Sequence, residues 1–175
     1  MMEYEVKIRV ADLRPIRDRL ASLGIRPVSR QTERDLYFNS PFHDFGRTDE
    51  ALRIRSTDGE TTLTYKGPKK GLGKVKAREE LIATVAPGEA MEGILARLGF
   101  APAAVVEKSR ETYPVEGTSV ALDEVKGLGS FVEIEAPAGM EAADAVALIG
   151  RVRELVGVEG EETIRSYLEL ILATR

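Results

Sequence analysis

A chain of 175 residues with 43% hydrophobic side chains, 31% charged side chains and a net charge of −4 fits one globular domain, residues 1–175, with a substantial core. Cysteine is absent and His43 is the single histidine, which excludes disulfides, thiolate catalysis and any multi-His or Cys-ligated metal site within one chain. No apolar run approaches the roughly 20 residues that span a bilayer, and Met1-Met2-Glu3 does not begin a signal peptide, so a cytoplasmic, membrane-free protein is expected.

The chain opens on Glu3-Tyr4-Glu5-Val6-Lys7-Ile8-Arg9-Val10, charged on odd positions and apolar on even ones from Val6 onward. That pattern predicts a strand with one apolar face and one face carrying Glu, Glu, Lys and Arg. Same-face neighbours lie about 6.7 Å apart, close enough for two carboxylates to converge on a hard divalent cation. A solvated edge strand would carry similar charges, so this strand alone does not decide the matter. Asp12 can then cap a helix with Leu13, Ile16, Leu20 and Leu23 on one face, stopped at Gly24. Residues 40–46 are turn-rich and leave His43 as an ordinary loop residue.

Further strands follow. Arg53 and Arg55 alternate with Leu52 and Ile54, and Thr62, Thr64 and Lys66 alternate with Leu63 and Tyr65. Gly67 to Lys74 resembles a phosphate loop but has five residues between Gly67 and Gly73 where four are needed. Val75 also stands where Ser or Thr should be. It reads instead as a mobile basic hairpin loop whose lysines close over a binding site. Lys74, Lys76, Arg78 and Glu80 alternate with Val75, Ala77 and Leu81, the choice of Glu80 over Glu79 resting on strand parity. Met91, Ile94, Leu95 and Leu98 predict a second helix, stopped at Gly99. Lys108 and Arg110 again sit two apart, as do Glu133 and Glu135 among Phe131, Val132 and Ile134. A third helix is expected over residues 141–156 and a fourth through Ile164, Tyr167, Leu168 and Ile171, all with core-facing stripes.

The charges are sorted along the chain, with carboxylate pairs near both ends and cations between. Solvated faces usually mix signs, so the sorting suggests a shared polar interior. Ten cations (Lys7, Arg9, Arg53, Arg55, Lys66, Lys74, Lys76, Arg78, Lys108, Arg110) face six acids (Glu3, Glu5, Glu80, Asp123, Glu133, Glu135), a local balance of +4 in a chain of −4. A cationic cavity in an acidic protein favours a compact polyanion and disfavours nucleic acid spread over a basic surface. Triphosphate with a divalent metal meets both demands. The echo between Leu20–Pro27 and Leu95–Pro102 predicts two strand–helix–strands units joined edge to edge into an antiparallel barrel with outer helices.

Several motifs occur in order: Glu-x-Glu-x-Lys at residues 3–7, Asp35-Leu36-Tyr37-Phe38, Ala51-Leu52-Arg53-Ile54-Arg55, Leu63-Thr64-Tyr65-Lys66-Gly67-Pro68, Lys108-Ser109-Arg110 and Glu133-Ile134-Glu135. In these the chain resembles the CYTH superfamily, the triphosphate tunnel metalloenzymes. Residues 45–55, Gly127–Phe131 and Ser166–Leu170 look most like its class IV adenylyl cyclase branch. The resemblance implies an α+β fold built on an eight-stranded antiparallel barrel, its charged lumen flanked by helices. It also implies a homodimer. Carried onto matching positions, Glu3, Glu5, Glu133 and Glu135, with Asp123, would bind Mg2+ or Mn2+. Lys7, Arg53, Arg55, Lys66, Arg78, Lys108 and Arg110 would hold phosphate oxygens, with Lys76 added by alternation. Arg9 and Lys74 rest on alternation alone.

The function expected is conversion of ATP to 3′,5′-cyclic AMP and pyrophosphate, with Arg53 and Lys108 stabilising transition-state charge. Tyr37 and Lys66 are candidates for proton handling; a core tyrosine and a plain phosphate clamp are the alternatives. A metal-dependent triphosphatase acting on tripolyphosphate, thiamine triphosphate or a nucleotide would use the same cage. A non-catalytic polyphosphate-binding module is the third reading.

Overall fold

The computed structural model describes residues 1–175, the side chain of Leu72 excepted. In chain order the elements are β1 (Met2–Val10), α1 (Arg14–Ser22), β2 (Ser29–Asn39), α2 (Phe45–Thr48), β3 (Ala51–Ser56), β4 (Thr61–Lys66), β5 (Lys70–Leu72) and β6 (Val75–Thr84). They continue with α3 (Gly88–Arg97), β7 (Ala101–Val115), β8 (Thr118–Val125), β9 (Gly129–Glu135), α4 (Ala142–Val156), β10 (Glu161–Thr163) and α5 (Tyr167–Leu172).

The strands run in the order β10-β1-β9-β8-β7-β2-β3-β4-β6-β5, and β1 also pairs with β6. That added pairing closes eight antiparallel strands into a barrel, leaving the short β5 and β10 outside it. The two units anticipated from the internal echo are present as β1-α1-β2-β3-β4 and β6-α3-β7-β8-β9. Each gives its first strand to the other, since β1 lies beside β9 and β6 beside β4. The echoing glycines end α1 and α3 alike, Gly24 at φ 73° and Gly99 at φ 92°, a conformation other residues adopt only under strain.

Strand alternation turns this barrel inside out relative to an ordinary one. Val6, Ile8 and Val10 of β1, with Leu122, Val132 and Ile134, face outward and pack under α1 and α4 in the main core. Leu36, Phe38, Leu52 and Ile54 form a second outer core with Phe45 and Leu95 of α3. A third cluster lies inside: Tyr37, Ala51, Val106, Val125 and Phe131 share the inward parity of their strands and pack on Tyr167 of α5.

The helices depart from the sequence reading in detail. Asp12 accepts the backbone N–H of Arg14 at 2.9 Å, but Leu13 occupies the cap position itself. On α3 only Leu95 is fully buried; Ile94 and Leu98 are 51% and 60% exposed, because Met91 and Leu95 already fill the contact stripe of this short helix. Val146 is also exposed on α4. The last helix starts at Tyr167 rather than near Ile164, because Ser166 and Glu169 form a reciprocal capping box and residues 161–163 are committed to β10. The basic hairpin contains β5, and its Lys69 is bound to Asp49 and Glu169.

Leu20 is fully buried between α1 and the barrel. Leu20→Ala is expected to lower unfolding free energy by about 2–5 kcal/mol, as read from the urea midpoint at unchanged slope.

Candidate functional site

Alternation determines which side chains reach the lumen. From β1 come Glu3, Glu5 and Lys7; from β3 Arg53 and Arg55; from β4 Lys66; from β6 Lys76, Arg78 and Glu80. Strand β7 adds Lys108 and Arg110, β9 adds Glu133 and Glu135, and β2 adds Tyr37, all lining one cavity. The cavity thus gathers all eight expected phosphate-binding cations and four of the five expected metal ligands. The fifth, Asp123, has no exposed surface. Arg110 grips both of its oxygens and the Tyr167 hydroxyl donates to it at 2.7 Å.

Two cations assigned by alternation lie elsewhere. Arg9 sits past Phe131, which closes that end of the inner face; its guanidinium covers the Phe131 ring at 4.7 Å and donates to the Leu128 carbonyl. Lys74 belongs to the β5–β6 turn, is 79% exposed and pairs with Glu162. Lys69 bridges Asp49 and Glu169 and does not line the cavity.

The residues missed from sequence are mostly the counterions. Glu33 and Asp35 stand directly behind the cations, 2% and 1% exposed. Glu33 lies 2.7 Å from Lys108 and 3.0 Å from Arg55, while Asp35 takes a bidentate pair from Arg55 at 2.7 and 2.8 Å. Asp35 also lies 3.3 Å from Lys108 and 3.5 Å from Arg53. Parity along β2 could have found them, since residues 33, 35 and 37 share a face. The intervening Arg34 is also charged, so no polar–apolar alternation marks that face. With Glu33, Asp35 and Asp123 included, eight cations meet eight carboxylates, so the expected surplus of +4 is corrected to a formally balanced wall.

The balance is uneven in space. Burial raises the Glu33 carboxyl, but Arg110, Arg55 and Lys108 outweigh it and hold the group down at about 2. Asp35 is likewise held well below the usual range, burial being overcome by Arg53 and Arg55. Glu133 is depressed against its burial by Lys7 and Arg110. Near the start of β1 the sign reverses. Burial, then Glu3, Glu5 and Glu133, push Glu135 up to about 8, and burial with Glu5 raises Glu3. Glu5 alone of this trio is depressed, to about 2, because Lys76 and Lys7 outweigh its burial.

Glu3, Glu5 and Glu135 each offer a carboxylate oxygen, and these oxygens lie within 4.8 Å of one another. Among the described residues they are the acidic group with metal-ligand spacing. Mutual repulsion at three clustered hard oxygen donors is what a divalent cation such as Mg2+ or Mn2+ relieves, so the residues fit such an ion. Glu133 is near but is committed to Lys7 at 3.1 Å and to Arg110. Lys66 lies between Glu3 at 3.1 Å and Glu80 at 3.0 Å, and these carboxylates raise its pKa despite its burial. These ion pairs favour its charged form and suit the phosphate-clamp alternative.

One end of the cavity is closed by α5. The Tyr167 ring lies 4.2 Å beneath the Lys7 ammonium and 5.5 Å from that of Lys108, and meets Phe131 edge-on at 5.1 Å. Ser166 also lines the cavity.

The closed barrel and its lumen agree with a family assignment made independently of geometry. The CYTH domain family model matches residues 1–167. The chain belongs to the CYTH family. A relative from Methanocaldococcus jannaschii, described as a "Putative adenylate cyclase", is 36% identical over 174 residues, covering 97% of this chain and 98% of its own. A solved Pyrococcus horikoshii structure shares 36% identity at a TM-score of 0.85, with 99% of each chain covered. A Hippeastrum protein, described as a "Putative adenylyl cyclase" with a dominant triphosphatase activity, shares the fold at 21% identity and a TM-score of 0.76, over 99% of this chain and 96% of its own. CYTH membership carries with it triphosphate binding and dependence on a divalent metal. No described helix is long and apolar enough to cross a membrane.

The depressed Glu33 carboxyl links stability to pH. Its contribution is full above its ordinary value of 4.5 and is lost as pH falls toward about 2. Glu33→Gln is expected to cost on the order of 3 kcal/mol at neutral pH. It should also flatten the stability profile between those limits, as followed by urea unfolding across pH 3–7.

Proposed function

We infer that the lumen is the active site of a metal-dependent enzyme acting on a nucleoside triphosphate, and that its reaction is cyclisation of ATP to 3′,5′-cyclic AMP and pyrophosphate. The observation that carries this reading is eight inward cations and a three-carboxylate cluster on one cavity wall. The full-length relative with a cyclase name points the same way. A non-catalytic polyanion binder gains nothing from carboxylates it must keep away from its ligand.

Attack of the 3′-oxygen on the α-phosphorus forms one P–O bond and breaks the bond to the departing pyrophosphate, while the hydroxyl proton is released. Glu3, Glu5 and Glu135 would hold the divalent ion, which supplies charge neutralisation and polarisation at the phosphoryl oxygens when bound. Lys7, Lys108, Arg110, Arg55 and Arg53 hold phosphate oxygens from fixed positions. Glu33, Asp35 and Asp123 keep those cations oriented before substrate arrives, so little reorganisation accompanies reaction. Lys66 and Lys76 are held protonated by Glu3 and Glu5 and act as positive charge, not as bases. Tyr37 lines the cavity beside Arg53 across the β2–β3 pair and would hydrogen-bond the attacking hydroxyl.

The same cage admits hydrolysis, with water attacking the terminal phosphorus, and the activity described for the Hippeastrum protein makes this the competing reading. Product analysis separates them. Purified protein with Mg2+ or Mn2+ should convert ATP to cyclic AMP and pyrophosphate; orthophosphate without cyclic AMP would identify a triphosphatase instead.

Arg53→Ala should lower turnover by roughly a hundredfold or more, the usual effect of removing one transition-state donor, while circular dichroism stays native because Arg55 still neutralises Asp35. Lys108→Ala is expected to lose turnover and thermal stability together, since it leaves Glu33 and Asp35 buried one cation short.

A further inference from the structure

Arg78 is the exception among the lumen cations. Every other one is ion-paired with at least one carboxylate. Among the described residues, none pairs with Arg78. Two backbone carbonyls hold its guanidinium instead: Nε donates to Gly67 at 2.6 Å and Nη2 to Asp49 at 2.7 Å. Carbonyls orient a guanidinium without cancelling its charge. Arg78, 3% exposed, therefore presents an uncompensated positive charge to the cavity it lines.

Both carbonyls lie in connections between elements, so each must itself be fixed. Gly67 follows β4 directly, and its N–H donates to the Glu79 carbonyl at 3.0 Å. Asp49 ends α2 at φ 57°, a left-handed conformation that a residue with a side chain adopts at a cost. What pins it is Lys69. The Lys69 backbone N–H and its Nζ donate to the two Asp49 carboxylate oxygens at 2.7 and 2.6 Å. The same ammonium donates at 2.8 Å to the Glu169 oxygen that also accepts the N–H and hydroxyl of Ser166. Lys69 thus clasps the turn after α2, the β4–β5 connection and the cap of α5, without lining the cavity. Its side chain is 14% exposed, but its two partners are each 38% exposed, and an ion pair that water still reaches adds little to overall stability. What the clasp fixes is where the Asp49 carbonyl stands.

We propose that Lys69 and Asp49 are positioning residues for Arg78. Their contact keeps the Asp49 carbonyl on the guanidinium and so aims an uncompensated charge at a phosphate oxygen of the bound triphosphate. The proposal rests on the reading of the lumen as a triphosphate site. The basic hairpin then serves that site from behind the wall, through one arginine.

The test is a double-mutant cycle on binding. Imidotriphosphate, the nitrogen-bridged triphosphate that resists hydrolysis, is titrated calorimetrically with Mg2+ into wild-type protein, Lys69→Met, Arg78→Ala and the double variant. Urea unfolding checks that each is folded. Arg78→Ala should weaken binding roughly tenfold or more, the loss of one hydrogen-bonded charge. Lys69→Met should weaken it roughly threefold to tenfold with Arg78 present and less than about twofold once Arg78 is gone. Asp49→Gly suits the left-handed backbone and deletes the same anchor, so it carries the test if Lys69→Met does not fold. It also removes a negative charge, which by charge alone would strengthen anion binding; the expected result is weaker binding, again only with Arg78 present. Equal losses in both backgrounds would mean that Lys69 acts as distant charge and would overturn the proposal, as would no loss in either. Normal binding by Arg78→Ala would overturn it too while leaving the triphosphate site standing. Wild-type protein that does not bind the ligand would remove both.

Discussion

The ionic contacts of Lys108 with Glu33 and Asp35 show what holds the inside of this barrel together. A lysine 3% exposed, with two carboxylates behind it, is tolerable only as part of a compensated set. Arg55 shares the same two carboxylates, Arg53 shares Asp35, and Arg110 is matched by Asp123 and Glu133. The lumen is therefore a charged interior stabilised by its own counterions, and the apolar burial that drives folding has moved to the outside of the wall, under α1, α3 and α4. Substrate phosphates enter a frame whose cations are already oriented. They do not have to assemble it.

Against that frame the carboxylates at the start of β1 stand out. Glu33, Asp35 and Glu133 are depressed by neighbouring cations, but Glu135 and Glu3 are raised by burial and by their own kind. The wall is thus balanced deep inside and unbalanced in the negative sense at one place. Glu3 and Glu135 carry that unneutralised repulsion, while Glu5, which shares their oxygen cluster, is also paired with Lys76. A chain-wide count of charge cannot make this distinction, and Glu133, two residues from Glu135, falls on the other side of it.

Much of this was legible in the sequence because period-2 alternation survives the passage from chain to barrel. Every lumen cation from Lys7 to Arg110 could be located by parity, and the repeated Leu-x-x-Leu-Gly helix ends pointed to two related units. The reading failed where parity carries no depth. Arg9 has the parity of Lys7 but lies beyond the Phe131 floor, and Lys74 has that of Lys76 but sits in a turn. Glu33 and Asp35 were hidden because both faces of β2 are polar there. Tyr167 read as one apolar position in a helical stripe. Its place inside the lumen depends on where α5 docks, which no local pattern encodes.

The exchange of strands between the two halves has a consequence for how the chain is made. Strand β1 finds its partners in residues 76–79 and 130–135, and its outer face carries Val6, Ile8 and Val10. At translation rates of about 5–20 residues per second, β1 waits on the order of ten seconds for its β9 neighbour to emerge. For that interval an amphipathic strand stands without one of its two barrel neighbours. The alternating Glu, Lys and Arg that later face the lumen then serve a different purpose, keeping a nascent edge soluble until the barrel closes.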